Sequence, residues 1–109
     1  MTLYRFGGFE LLPEERRLTK AGQELVVGAR AFDLLIFLIA NRNRVVTKTE
    51  MLDAVWPDVA VEENNLTVQV SALRKLIGSN AVATVPGRGY RFVVAMDDED
   101  AVGVVDSSA

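Results

Sequence analysis

Between Ala31 and Ala40 the chain reads Ala-Phe-Asp-Leu-Leu-Ile-Phe-Leu-Ile-Ala. At 3.6 residues per turn, Phe32, Leu35, Ile36 and Ile39 share one face. Leu34, Phe37 and Leu38 fill the other. A helix that is apolar nearly all round has to be covered on both sides. The helix predicted over Gly28 to Asn41 is therefore internal, with an N-terminal sheet expected on one side and later helices on the other. Its longest apolar run, Leu34 to Ala40, falls far short of the roughly 20 residues that cross a bilayer. No membrane segment is expected.

The flanks supply that cover. Leu3–Phe6 and Phe9–Leu12 are separated by Gly7-Gly8, and Arg17–Lys20 and Gln23–Val26 flank Ala21-Gly22. Short runs divided by such turn residues predict a small antiparallel meander. After the first helix, Asn41 to Arg44 form a polar turn and Val45-Val46 a short extended piece. Thr47 and Glu50 have capping-box spacing. The helix they open runs to about Trp56, where Pro57 stops it. A longer helix is predicted over 62–77, with Leu66, Val70, Leu73 and Ile77 as its core stripe and Gly78 at its end. Val82–Val85 and Tyr90–Val94 then flank Pro86-Gly87-Arg88-Gly89, a hairpin with a glycine-rich tip. The order is sheet, three helices, hairpin, an α+β arrangement.

Composition removes several kinds of chemistry. The 109 residues suit one domain and include no cysteine and no histidine. Disulfides, thiol nucleophiles, the usual zinc sites and histidine acid–base catalysis are thus excluded. No enzyme activity, cofactor or metal is expected. The opening residues Met1 to Arg5 do not read as a secretory signal. With the lack of cysteine, this fits a cytoplasmic location.

The formal net charge is −3, which at first argues against a polyanionic partner. The distribution alters that reading. All 12 Lys and Arg precede residue 92, whereas Asp97, Asp98, Glu99, Asp100 and Asp106 lie in the last 13 residues. Residues 1–95 carry 12 basic against 10 acidic groups, a net +2. We therefore divide the chain into a folded domain, 1–95, and an acidic, disordered tail or linker, 96–109. The tail lacks the glycine and closing glutamate of a calcium loop.

Opposite the core stripe of the third helix, Asn64, Val68, Ser71 and Lys75 line one face. Thr67, Ala72 and Arg74 flank it. Small side chains let a helix approach base edges. Asparagine pairs with adenine, and Val68 or Ala72 suits a thymine methyl. Lys75 and Arg74 suit phosphates or guanine. An ordinary solvated face accounts for the same residues equally well. Glu62 and Glu63 oppose phosphates but favour the helix N-terminus.

At the hairpin tip, Arg88 is the one long side chain between Gly87 and Gly89. An apical arginine suits a narrow minor groove, whose negative potential is enhanced. It is also what any exposed turn could carry. The helix face followed directly by this hairpin points to duplex DNA more strongly than either part. Arg16-Arg17 and Arg42 to Arg44 are further candidates for phosphate contacts. Trp56, Tyr4 and Phe6 read as packing residues.

Five stretches together resemble the OmpR/PhoB-type winged-helix effector domain of bacterial transcriptional regulators. They are Tyr4–Gly7, Ala31–Leu35, Met51–Pro57, Ser71–Leu76 and Val85–Phe92. The resemblance spans residues 4 to about 94. It implies a winged helix-turn-helix: a four-stranded N-terminal antiparallel sheet, a three-helix core and a C-terminal β-hairpin wing. It implies that the helix over 62–77 enters the major groove of double-stranded DNA through Asn64, Asn65, Thr67, Val68, Ser71, Ala72, Arg74 and Lys75. The wing, 86–89, would meet the minor groove through Arg88, helped by Tyr90 and Arg91. The loop Pro57, Asp58, Val59, Ala60 and Val61 corresponds to one that touches RNA polymerase. Such domains often bind tandem sites with a second copy. Two departures stand out. Ser71 and Ala72 occupy places where arginines are common, and Gly28-Ala29 stands where a Thr-Pro helix start is usual. A protein-interaction module that kept this fold is the alternative reading, favoured by the low charge and by Glu62 and Glu63.

Overall fold

The first strand, β1 (Tyr4–Phe6), turns back through Gly7-Gly8 into β2 (Phe9–Leu12). A single 3-10 turn, Pro13–Glu15, leads to β3 (Arg17–Lys20), and β4 (Gln23–Glu24) follows. This is a computed structural model, and it describes residues 2–96. The strands pair antiparallel in the order β1-β2-β3-β4, as expected from the meander. Alternation places Phe6, Phe9, Leu11 and Leu18 among the buried residues. The Phe6 and Phe9 rings stack with centroids 5.5 Å apart.

Met96 belongs to this unit. Expected in the tail, it is 5% exposed and forms an antiparallel bridge with Phe6. An apolar side chain with a vacant place beside a short edge strand is held there even next to an acidic run. The rest of the proposed tail, 97–109, lies outside the described residues.

Residues 28–93 form a second unit. Helix α1 (Ala29–Ala40) buries Phe32, Leu34, Leu35, Leu38 and Ile39, so both of its predicted faces are covered. Its N-cap is Gly28, which offers no side-chain acceptor. Strand β5 (Val46–Thr47) runs straight into α2 (Lys48–Val55). Here the capping box forms as predicted. Thr47 Oγ1 accepts the Glu50 N–H at 3.1 Å, and Glu50 Oε1 accepts the Thr47 N–H at 2.9 Å. Helix α2 ends at Val55, with Trp56 as its C-cap.

Helix α3 (Glu63–Ile77) buries the four predicted stripe residues, Leu66, Val70, Leu73 and Ile77. Truncating one of them, Leu73→Ala for instance, would cost about 2–5 kcal/mol. Gly78, at φ 111°, ends the helix. Strands β6 (Val82–Val85) and β7 (Gly89–Phe92) make the hairpin.

The hairpin is joined by a third strand, which the sequence pattern does not reveal. Val46 and Thr47 of β5 lie antiparallel to Tyr90 and Gly89 of β7, giving the sheet order β5-β7-β6. The wing is thus stitched to the strand that opens α2.

Candidate nucleic-acid interface

The face of α3 opposite its core stripe is open to solvent. Asn64, Asn65, Thr67, Val68, Ser71, Ala72 and Lys75 are all exposed. Val68 is 52% exposed, one of the large apolar side chains open to solvent with Val26, Val59 and Val93. Helical spacing accounts for the division: buried positions recur at 66, 70, 73 and 77, and the open positions fall half a turn away.

Arg74 behaves otherwise. Expected on the flank of that face, it turns onto the hairpin. Its Nε and Nη2 donate to the carbonyl oxygen of Val82 at 3.1 and 2.7 Å, and Nη2 also donates to Thr84 Oγ1 at 2.8 Å. Its guanidinium carbon lies 5.8 Å from the centre of the Tyr90 ring. Tyr90, expected to assist at the wing, is only 7% exposed. Strand alternation explains this. Val82, Thr84, Tyr90 and Phe92 share one side of the hairpin, so Arg91 points to the other and is exposed.

At the tip, the Arg88 N–H donates to the Val85 carbonyl at 2.9 Å and closes a four-residue turn. Pro86 and Gly87 are its central residues, and Gly87 has φ 74°. Proline followed by a glycine of positive φ is the signature of a type II turn. The Arg88 side chain projects exposed beyond it.

Electrostatics single out the same surface. Arg17 bonds Glu15 and faces Glu24, Arg30 bonds the Val55 carbonyl, and Lys48 lies 3.4 Å from Glu63. Arg42 bonds the Ile39 carbonyl, and Lys20 sits 4.9 Å above the Phe9 ring. Arg44 grips both oxygens of Glu50, at 3.0 and 2.9 Å, and Asn41 Oδ1 as well. That hydrogen-bonded pair raises the Arg44 pKa. With help from the Thr47 N–H it lowers Glu50 from 4.5 to about 2. Arg17, Arg42 and Arg44, considered for phosphates on sequence grounds, are therefore engaged within the fold. Arg5 and Arg16 have partners too. Among the described residues, three cationic side chains have no such partner: Lys75, Arg88 and Arg91. All three belong to the exposed face of α3 or to the hairpin.

Elsewhere, Pro57, Asp58, Val59 and Ala60 are exposed and Val61 is half-buried. Val59 is 58% exposed, and Asp58 holds φ 63°, a left-handed conformation that aspartate tolerates better than most residues. Glu62 caps α3 without a side-chain bond.

Sheet, three helices with the last one presenting an open face, and a hairpin beside it define a winged helix-turn-helix domain. The family described as the C-terminal domain of transcriptional regulatory proteins matches residues 22–92, and the chain belongs to that family. The phosphate regulon transcriptional regulatory protein PhoB of Pseudomonas aeruginosa is 39% identical over 90 residues, covering 79% of this chain and 39% of that protein. The transcriptional activator CadC of Escherichia coli is 31% identical over 96 residues, 83% of this chain and 19% of that protein. The chain therefore spans less than half the length of these relatives. The solved DNA-binding domain of E. coli CadC superposes with a TM-score of 0.78 at 29% identity, covering 88% of this chain and 95% of that one. The Klebsiella pneumoniae RstA DNA-binding domain, solved with the RstA box, shares the fold, with a TM-score of 0.72 at 23% identity over 84% of this chain and 97% of that one.

Proposed function

We propose that this domain binds double-stranded DNA sequence-specifically, as the effector part of a bacterial transcriptional regulator acting in the cytoplasm. The observation that carries the reading is that, among the described residues, the three cations without a partner, Lys75, Arg88 and Arg91, are exposed and lie on α3 and on the hairpin that follows it. Helix α3 lies in the major groove with Asn64, Asn65, Thr67, Val68, Ser71 and Ala72 toward the bases. Asn64 or Asn65 pairs with adenine and Val68 touches a thymine methyl. Lys75 meets a phosphate. Arg88 enters the minor groove, where the potential is most negative, and Arg91 meets the backbone beside it.

Two further partners are part of the proposal. The exposed loop from Pro57 to Val61, with Val59 uncovered, is a surface for RNA polymerase. A second copy on a tandem site adds affinity that one weakly basic domain lacks.

Selection of bound sequences from a random duplex pool tests the reading. Enrichment of a defined motif, with an affinity that falls as salt rises, is the expected result. No enrichment and no salt-dependent binding would favour a protein-interaction module on the same fold.

A further inference from the structure

We infer that Arg74 is a positioning residue: it fixes the wing against α3 and so sets where Arg88 and Arg91 stand relative to Lys75, and it is not itself a DNA contact. The inference rests on the DNA-binding reading for its functional part alone.

The geometry is that of a strut. One guanidinium from the last turns of α3 makes two bonds to one carbonyl oxygen, Val82, and a third to Thr84 Oγ1, while its central carbon lies 5.8 Å from the centre of the Tyr90 ring. Strand β6 is at the edge of its sheet, so part of its backbone has no neighbouring strand to pair with. Arg74 supplies donors to that edge. The arrangement needs a planar fork with several N–H groups at fixed angles. A lysine ammonium is a single point and cannot make these contacts together. A side chain held by three bonds and a ring is also poorly placed to leave for a phosphate.

What the strut controls follows from the connectivity. Lys75 is the next residue on α3, and Arg88 and Arg91 sit in the turn and strand that Thr84 and Tyr90 border. With Arg74 in place, the hairpin that carries Arg88 and Arg91 is bonded to the helix that carries Lys75. Without it, the hairpin keeps its own bonds, its pairing with β5 and the burial of Val82, Tyr90 and Phe92, but loses its hydrogen bonds to α3.

The test uses the whole chain with Arg74→Lys, and Thr84→Val as a milder variant that removes one acceptor at an exposed position. In the free protein, amide hydrogen exchange at Arg88 and Val93, which donate to Val85 and Ala81, is expected to speed up about tenfold in Arg74→Lys and less in Thr84→Val, with α1 amides unchanged. Unchanged exchange in both variants would overturn the inference, and if Arg74→Lys does not fold, Thr84→Val decides. On a selected duplex, Arg88→Ala should weaken binding in the wild-type background but hardly at all beside Arg74→Lys. Lys75→Ala should cost the same in both backgrounds. Full affinity in Arg74→Lys, with a salt slope that drops by about 0.9 only in Arg74→Ala, would make Arg74 a phosphate contact and overturn the strut. If the wild-type chain binds no duplex, the DNA reading fails while the exchange measurement still decides the role of Arg74.

Discussion

A β-carbon placed on Gly89 would run into the carbonyl oxygen of Val46 and come within 2.9 Å of Thr47 Cα. These are backbone atoms, so no side chain can swing aside to relieve the clash. Gly89→Ala should therefore separate β5 from β7 and destabilise the protein by about 1–3 kcal/mol or more, as overpacking does. Urea denaturation checks this. A midpoint equal to that of the wild type would mean that the two strands do not approach so closely in solution. Gly87→Ala at the turn has open space around it and strains only its φ of 74°, so its cost should be smaller.

The ion pair at the start of α2 gives a pH dependence with a defined sign. Glu50 titrates at about 2 in the folded protein, against an ordinary 4.5, first because Arg44 donates to it and then because the Thr47 N–H does. A depressed folded value means that the contribution is fully present above about pH 4.5 and is lost as pH falls toward 2. Glu50→Gln keeps an acceptor for Thr47 but loses the charge. The thermal midpoints of the two proteins should differ most near neutrality and converge as pH falls through that window. A constant gap down to pH 2 would assign the effect to packing.

Removal of the partner-free cations should separate their roles. Lys75→Ala is expected to weaken binding to most duplexes and to flatten the dependence of log affinity on log salt by about 0.9. Arg88→Ala should cost more on AT-rich than on GC-rich sites. Equal losses on both would argue against minor-groove reading. Val68→Ser should change base preference, by about 1–3 kcal/mol where a thymine methyl contact is lost. Fluorescence anisotropy at several salt concentrations measures all three.

Lys48 and Glu63 join the first turns of α2 and α3 at 3.4 Å, and both side chains are largely open to water. Exposed pairs of this kind contribute little to stability. Near phosphates the carboxylate matters more, because it repels them and occupies Lys48. Glu63→Gln should leave the melting temperature nearly unchanged and tighten DNA binding by roughly two- to fivefold at low salt. Weaker binding would instead indicate that Glu63 accepts a bond from a base.

Much of this fold could be read from short-range pattern. The stripe 66, 70, 73, 77 located α3 and its open face, Thr47 and Glu50 located the start of α2, and the glycine pairs located the strand turns. What stayed hidden depends on residues distant in sequence. Nothing in Val45-Val46 says that β5 pairs with β7, although a second glycine after Arg88 was a clue: Gly87 serves the turn, while Gly89 serves the approach of another strand. Arg74 occupies the flank of the open face by helical arithmetic, and only the position of the hairpin draws it inward. Arg42 and Arg44 are a local case: their partners Ile39, Asn41 and Glu50 lie three to six residues away and come into reach once the turn after α1 has formed. Net charge was a poor guide for this reason. A count of +2 cannot tell a neutralised cation from a free one.

Most of the lysines and arginines here are already answered from within the fold, and this bears on how such a domain would search a genome. With Lys75, Arg88 and Arg91 as the only cations that replace condensed counterions, two at the backbone and one in the minor groove, the affinity of the domain for arbitrary sequence would fall with a log–log salt slope of only about −2.7. It would then dwell briefly at wrong sites and leave them quickly. The decision to stay would pass to uncharged groups such as Asn64, Val68 and Ser71, whose contacts exist only where the bases match.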